Sequence, residues 1–258
     1  MSFSTQLKTR SLLRVCGPDA ESFLDNLVTS ELPTDGKVVG SALLSPQGKI
    51  LFSFLLARSP DSSFLVECDT KERAGLLQRL SMYKLRANVE LGASDAPVHA
   101  VASGGFEDQR DGSLGGRLYE TADAEEGAEV YLQTRIAAGV LEGPEEIMAG
   151  QDFPHDVGFD LTNAVSFKKG CFVGQEVVSR VKHRGTARRR PVIIQGSSLA
   201  VGGSVHSKGR DLGTIRAVSN GDALAVIRID QVKGSETVAD QHVEVCLPSI
   251  ATYSLGKQ

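Results

Sequence analysis

Residues 167–180 read FKKGCFVGQEVVSR, which sets one of the four cysteines of the chain between two lysines and a glycine-framed glutamate. A thiol acts as nucleophile or soft metal ligand only as its thiolate, and nearby ammonium groups and the unpaired amides of a helix start favour that anion. Lys168, Lys169 and a helix opening near Gly174 therefore mark Cys171 as the candidate reactive thiol, with Lys169 as its catalytic neighbour. The competing role is burial, because free cysteine packs as a small hydrophobe. Cys16, Cys68 and Cys246 each lie inside an apolar, strand-like run and are expected in the core.

Glu176 either complements the dipole of the helix that it opens or offers two acceptor oxygens to a planar ligand with paired N–H donors. The run G-x-x-x-G-Q-E lacks the G-K-S/T ending of a phosphate-cradling loop, so nucleoside triphosphate chemistry is not expected there. Downstream, Arg180, Lys182, His183, Arg184, Arg188, Arg189 and Arg190 form the densest basic cluster in the chain. Such a run is commonly a solvated helix end; its chemical alternative is docking of carboxylates or phosphates through arginine forks. Few aromatic residues interleave with it, so a polyanionic small ligand ranks above nucleic acid, and direct nucleic-acid binding is not expected. His155 and His183 lack a second ligand at metal spacing, and Asp152, Asp156 and Asp160 lack the glycine and terminal glutamate of a calcium loop. No metal site is expected.

These residues need elements to hold them. SLLRVC reads as a strand, GPDAESFLDNLVTS as a helix with an apolar face, and residues 38–57 as two strands joined by a turn at residues 45–48. SFLVEC, TKERAGLLQRLSMYKL and NVEL follow as strand, helix and strand, an order that suggests an antiparallel α+β unit. Residues 93–127 are rich in Gly, Asp and Glu and read as a surface connection with short strands at PVHAVAS and GRLYET. EVYLQTRIAAGV and GQEVVSRVKHR read as helices, and the short β-rich runs from residue 190 to 250 as a small barrel.

The chain has 258 residues, 41% hydrophobic and 23% charged, with a formal net charge of -4, which suits two or three packed domains and gives no general attraction to polyanions. Without tryptophan and with 5% aromatic residues it has little material for base-stacking surfaces. No run reaches the roughly 20 apolar residues of a membrane span. The first residues lack a continuous apolar core, so a cytoplasmic protein with reduced thiols is expected.

KKGCFVGQEVVSR, with RIAAGV upstream and KHRGTARRR downstream, resembles the YgfZ family of folate-binding proteins, which is similar in turn to the aminomethyltransferase of the glycine cleavage system. The core K-G-C-F/Y-x-G-Q-E is highly specific. Weaker matches at LLRVCGPDAESFLDNLVTS, ALLSPQGKILFSFLL and MYKLRANVEL extend the resemblance over nearly the whole chain. It implies an α+β, three-domain ring around a central tetrahydrofolate funnel with a C-terminal β-barrel, here divided at residues 1–92, 93–186 and 187–258. It also implies a role in assembling or repairing iron–sulfur clusters in client enzymes, including one that modifies tRNA, with iron–sulfur client or assembly proteins as partners. By the same resemblance Lys169, Gly170 and Cys171 match the K-G-C, and Glu176 matches a carboxylate near the pterin. Gly174 and Gln175 shape that wall, Arg180 and Arg184 favour the folate glutamate tail, and Tyr83 and Arg86 line the funnel.

Aminomethyltransferases resemble this chain less in one place: their acidic pair after the glycine-containing hairpin is absent from residues 48–53, GKILFS. Loss of aminomethyl transfer is therefore expected, since no carboxylate remains there to assist charge changes at a folate nitrogen. Gly158 stands where asparagine is frequent in the family, and Glu31 where aspartate is. The alternatives to a cluster-assembly accessory protein are a folate-dependent transferase in the same funnel, or a basic-patch RNA or protein adaptor without folate.

Overall fold

The computed structural model describes residues 3–123, 127–185 and 187–256. Its first part runs β1 (Ser4–Gln6), β2 (Arg10–Cys16), α1 (Ala20–Asp25), β3 (Lys37–Leu44), β4 (Ile50–Arg58), β5 (Phe64–Asp69), α2 (Arg73–Lys84) and β6 (Glu90–Ser94). Then come β7 (His99–Val101), β8 (Phe106–Asp108), β9 (Gly116–Leu118), α3 (Ala128–Ala138) and α4 (Gln175–Arg184). The last part comprises β10 (Arg189–Gln195), β11 (Ser204–Ser207), β12 (Arg210–Ser219), β13 (Asp222–Arg228), β14 (Glu236–Val238), β15 (Gln241–His242) and β16 (Glu244–Cys246).

The first nine strands form one sheet in the order β1-β7-β9-β8-β3-β4-β5-β2-β6, antiparallel except where β8 joins β3. The hairpin β3–β4 is closed by the turn at residues 45–48, in which Gly48 takes the left-handed φ of +80° that favours glycine. α1 and α2 cover one face, packing Phe23, Leu24, Leu76 and Leu80 against Leu13, Leu56, Phe64 and Val66. The last seven strands form a second sheet, β15-β14-β11-β12-β13-β10-β16, curled into a nearly closed barrel with its own core of Val192, Ile194, Val205, Ile215 and Ile227. A further apolar cluster joins the parts: Leu44 and Ile50 of the β3–β4 hairpin meet Ile136 of α3, Phe172, Val178 of α4, and Leu224 and Val226 of the barrel.

Residues 93–118 are less of a surface connection than their composition suggests. They supply β7, β8 and β9 to the same sheet as β2–β6, and the boundary expected at residue 92 falls inside β6. Of the three cysteines expected in the core, only Cys68 is fully buried; Cys16 and Cys246 are half-buried, near Glu90 and Gln195.

Where β2, β5, β8 and β9 meet the segment after α3, the interior is charged. Arg117 and Glu67 are both fully buried, Nε to Oε2 3.2 Å apart, and Arg10 Nε lies 2.9 Å from the other oxygen of Glu67. Glu142 accepts from Arg117 Nη2 at 3.2 Å, Arg110 Nη1 at 2.9 Å and the Tyr131 hydroxyl at 2.8 Å. Arg110 also bonds Asp108 at 2.7 Å. Burial alone would raise the pKa of Glu142, but Arg110, Arg117 and Arg10 outweigh it and hold the carboxyl well below its ordinary range. Breaking such a cluster from one side leaves charges unpaired in the interior. Arg117→Met is expected to cost roughly 3–5 kcal/mol of stability in urea unfolding, and a loss below about 1 kcal/mol would show that the cluster contributes little.

Candidate functional site

Cys171 sits on a loop that is held from both sides. Upstream, the Ser166 amide donates to the Thr29 carbonyl at 2.8 Å, and the Thr29 hydroxyl donates to the Ala164 carbonyl at 2.6 Å. The Ser166 hydroxyl donates to Glu31 at 3.0 Å and accepts from the amides of Lys168 and Lys169 at 3.1 and 3.2 Å. Lys169 drives its ammonium into the end of α1: it donates to the carbonyls of Val28 and Ser30, each at 2.9 Å, and lies 3.1 Å from Asp25. Burial lowers its pKa, with Asp25 acting against that shift. Downstream, Phe172 is buried in the core shared by all parts of the chain. Between these two anchors the Cys171 side chain is exposed.

Gly174 closes the loop. It precedes α4 with φ +81°, and a Cβ there would stand 2.6 Å from the Ser45 carbonyl oxygen and 3.0 Å from Cα of Gly48. The motif backbone therefore lies directly on the β3–β4 turn, a contact that only glycine permits on conformational and steric grounds together. Gln175 Nε2 reaches back to the Gly170 carbonyl at 3.5 Å.

The remaining residues singled out from the sequence are spread over several surfaces. The Glu176 side chain is 86% exposed and pairs with Arg180 one turn along α4 at 2.7 Å, while Arg184 is exposed at the helix end. Tyr83 packs on the core beneath α1 and α2, and Arg86 lies exposed beyond the end of α2. Neither lines the cavity at the centre of the molecule, which Arg10, Ser53, Phe54, Arg110, Glu142 and Phe159 enclose. That cavity measures about 20 Å³. It holds about one water, where organic ligands occupy roughly 300–1,000 Å³. Tetrahydrofolate, implied by the resemblance for the centre of this fold, would need a wider cavity than this one. Ser53, from the stretch without carboxylates, is one of the lining groups.

Larger concavities lie outside the centre. A groove of about 920 Å³ runs between α4 and the barrel, and one of about 770 Å³ lies beside it, with His155, Val181, Ala187 and Arg188 lining both. Asp160 pairs with Arg190 at 2.6 Å and Asp152 with Arg216 at 3.2 Å, so these carboxylates bind the segment after α3 to the barrel. Among the described residues, no group of three or more His, Cys, Asp or Glu side chains could hold a metal ion. Gly158 has φ +76°, a conformation that favours glycine and that asparagine tolerates better than most residues.

Residues 187–253 match the family described as CAF17, C-terminal beta-barrel domain. The chain is 31% identical to the mouse protein named iron-sulfur cluster assembly factor IBA57, mitochondrial, over 89% of its own length and 78% of that protein. The chain belongs to the IBA57 family of iron–sulfur cluster assembly factors. Its identity to the human IBA57 protein is 30%, over 89% of this chain and 78% of the relative. The aminomethyltransferase-like fold is seen directly in the crystal structure of the glycine cleavage system aminomethyltransferase T from Bartonella henselae. The superposition has a TM-score of 0.70 at 14% identity, covering 99% of this chain and 88% of that one. Membership of the IBA57 family, to which the YgfZ family is related, replaces the narrower resemblance to YgfZ. The cytoplasmic location expected from the sequence is corrected as well, since the matched IBA57 proteins of mouse, human and fungi are named mitochondrial.

Lys169→Met removes the charge that ties the motif loop to α1 and leaves two carbonyls without their donor. The expected cost is about 2 kcal/mol, with faster amide exchange over residues 167–174; unchanged exchange there would mean that the loop is held by Phe172 and Gly174 alone. Asp156, whose carboxyl accepts from the Phe153 amide at 3.2 Å, is pushed by burial from its ordinary 3.8 to about 6. A raised carboxyl pKa favours the folded state at low pH and disfavours it as pH rises through 6. Asp156→Asn is therefore expected to be more stable than the parent by roughly 2–3 kcal/mol above pH 7, and the gap should close as pH falls toward 4. A pH-independent gap in thermal melts would refute this.

Proposed function

We propose that this chain supports iron–sulfur cluster assembly by presenting the Cys171 thiolate as a ligand to a cluster that passes between proteins. The observation that carries this reading is the exposure of Cys171 between two buried anchors, Lys169 and Phe172. An exposed thiol on a loop fixed at both ends meets a partner without reorganising, so little affinity is lost to ordering. The cluster is cargo here, since cysteine-ligated clusters take thiolates on every iron and this chain brings one to the surface at this place. Cys68 is buried and its thiol is pushed up to about 11 by desolvation, which makes it a poor ligand at neutral pH. The other ligands would come from the partner, and the proton of Cys171 leaves on ligation.

Membership of the IBA57 family supports the pathway, and the loop geometry supports the residue. Client enzymes, including tRNA-modifying ones, belong to this proposal as the acceptors that the resemblance implies. Folate is a separate matter. None of Gly174, Gln175, Glu176, Arg180 and Arg184 lines the central cavity, and the thiol chemistry requires no tetrahydrofolate. The exposed Glu176–Arg180 pair, on the helix that follows the Cys171 loop, instead offers a polar rim to a protein partner.

Cys171→Ser is expected to abolish the ability of the chain to restore activity of a [4Fe–4S] client enzyme in cells that lack it. The thermal midpoint of the variant should stay within about 2 °C of the parent, as a surface substitution predicts. Full restoration by the variant would remove the thiol from the function.

A further inference from the structure

The groove between α4 and the barrel is not used by the thiol chemistry. Its walls are Val181 and Lys182 of α4, Arg188 just before β10 and Arg190 within it, and the tight β11–β12 hairpin. That hairpin turns on Lys208 and Gly209, with φ +50° and +75°, so Ser207, Lys208 and Arg210 are brought together at one edge. Lys233 and Asp230, beyond β13, complete the rim.

Charge is unbalanced here. Six cations face the groove and two carboxylates do, and each carboxylate is already paired: Asp160 with Arg190 at 2.6 Å and Asp230 with Arg228 at 3.3 Å. Among the described residues, Lys182, Arg188, Lys208, Arg210 and Lys233 have no carboxylate within ion-pair distance, in a chain whose net charge is -4. Concentrating cations without partners on one concave surface is unfavourable unless an anion neutralises them.

A second observation is independent of the charges. His155 is 2% exposed and both of its ring nitrogens lack a hydrogen-bond partner; Ser207 is 4% exposed and its hydroxyl also lacks one. Both side chains line this groove. Buried polar groups are rarely left unpaired, and each costs about 1–3 kcal/mol, so two along one groove mark a place where a ligand completes the bonding.

We propose that the groove binds a small organic diphosphate. A single phosphate neutralises at most two of the five unpaired cations, whereas an organic diphosphate neutralises about three, and its two phosphoryl groups offer acceptors to the arginine forks, the Ser207 hydroxyl and the His155 ring. Leu161, Val181 and Ile229 form an apolar strip in the same groove for the organic part. A nucleic-acid strand suits it less well, because the ring of Tyr253 is already covered by Arg190, 5.3 Å from its centroid, which leaves no free stacking platform there. The volume of about 920 Å³ is that of a small-molecule site.

The test is calorimetric titration of the full chain with inorganic pyrophosphate and with adenosine diphosphate at moderate salt. It compares the parent with Ser207→Ala, with the double variant Lys208→Gln/Arg210→Gln, and with Cys171→Ser. Saturable one-to-one binding of both probes is expected, tighter for adenosine diphosphate and weakened about tenfold or more in the double variant. Lys208 and Arg210 are exposed, so that variant should melt as the parent does. Ser207→Ala is expected to weaken binding without lowering the melting temperature, and Cys171→Ser to bind as the parent does, which separates this site from the thiol function. Absence of saturable binding, equal binding by parent and double variant, or binding confined to tRNA or anionic vesicles would each overturn the proposal.

Discussion

Glu142 and the guanidinium groups around it impose the constraint on which the rest of the molecule depends. Arg10 comes from β2, far in sequence from Arg110 and Arg117, and the three share Glu67, Asp108 and Glu142 in a buried interior. Removing that many charges from water is costly, and the arrangement is tolerable only because every carboxylate meets guanidinium or phenol donors. The cluster also fills the space between the first sheet and the segment after α3. About 20 Å³ is left between its members and the β4 side chains.

At the periphery, α4 organises what remains. Its N-terminus begins at Gly174, seated on the β3–β4 turn, and carries the Cys171 loop; its C-terminus, rich in Lys182, His183 and Arg184, meets the basic groove. A helix from residue 175 to 184 is about 15 Å long, so the thiol and the groove are separate stations along one rigid element. Val178 fastens that element to the core shared by the sheet, the segment after α3 and the barrel. A partner docking at the loop and an anion in the groove would then act on the same helix without competing for the same surface.

Lys169 shows how a residue can belong to a functional motif through its position more than its reactivity. Two carbonyls and Asp25 take up its three N–H donors, so its contribution is to fix the loop that exposes the thiol. Cys171 is presented by anchoring on both flanks, a mechanism in which Phe172 and Gly174 share. Position likewise defines Asp152 and Asp160, which tie the central segment to the barrel through Arg216 and Arg190.

The sequence by itself determined what is local. Alternating and helical apolar spacing marked β3, β4, α2, α3 and α4, the turn at residues 45–48 announced its hairpin, and the K-G-C run pointed to Cys171, because each signal lies within a few residues. The short strand β8 and the continuation of the sheet past residue 92 were not legible: three-residue strands carry almost no period, and their pairing is decided by partners elsewhere. Only the tertiary structure decided that Lys169 faces α1 and that Glu176 faces solvent. It alone showed that Arg117 lies fully buried and that His155 and Ser207, distant in the chain, line one groove. Side-chain partners across such separations follow from packing and burial, and neither is encoded in the spacing of neighbours along the chain.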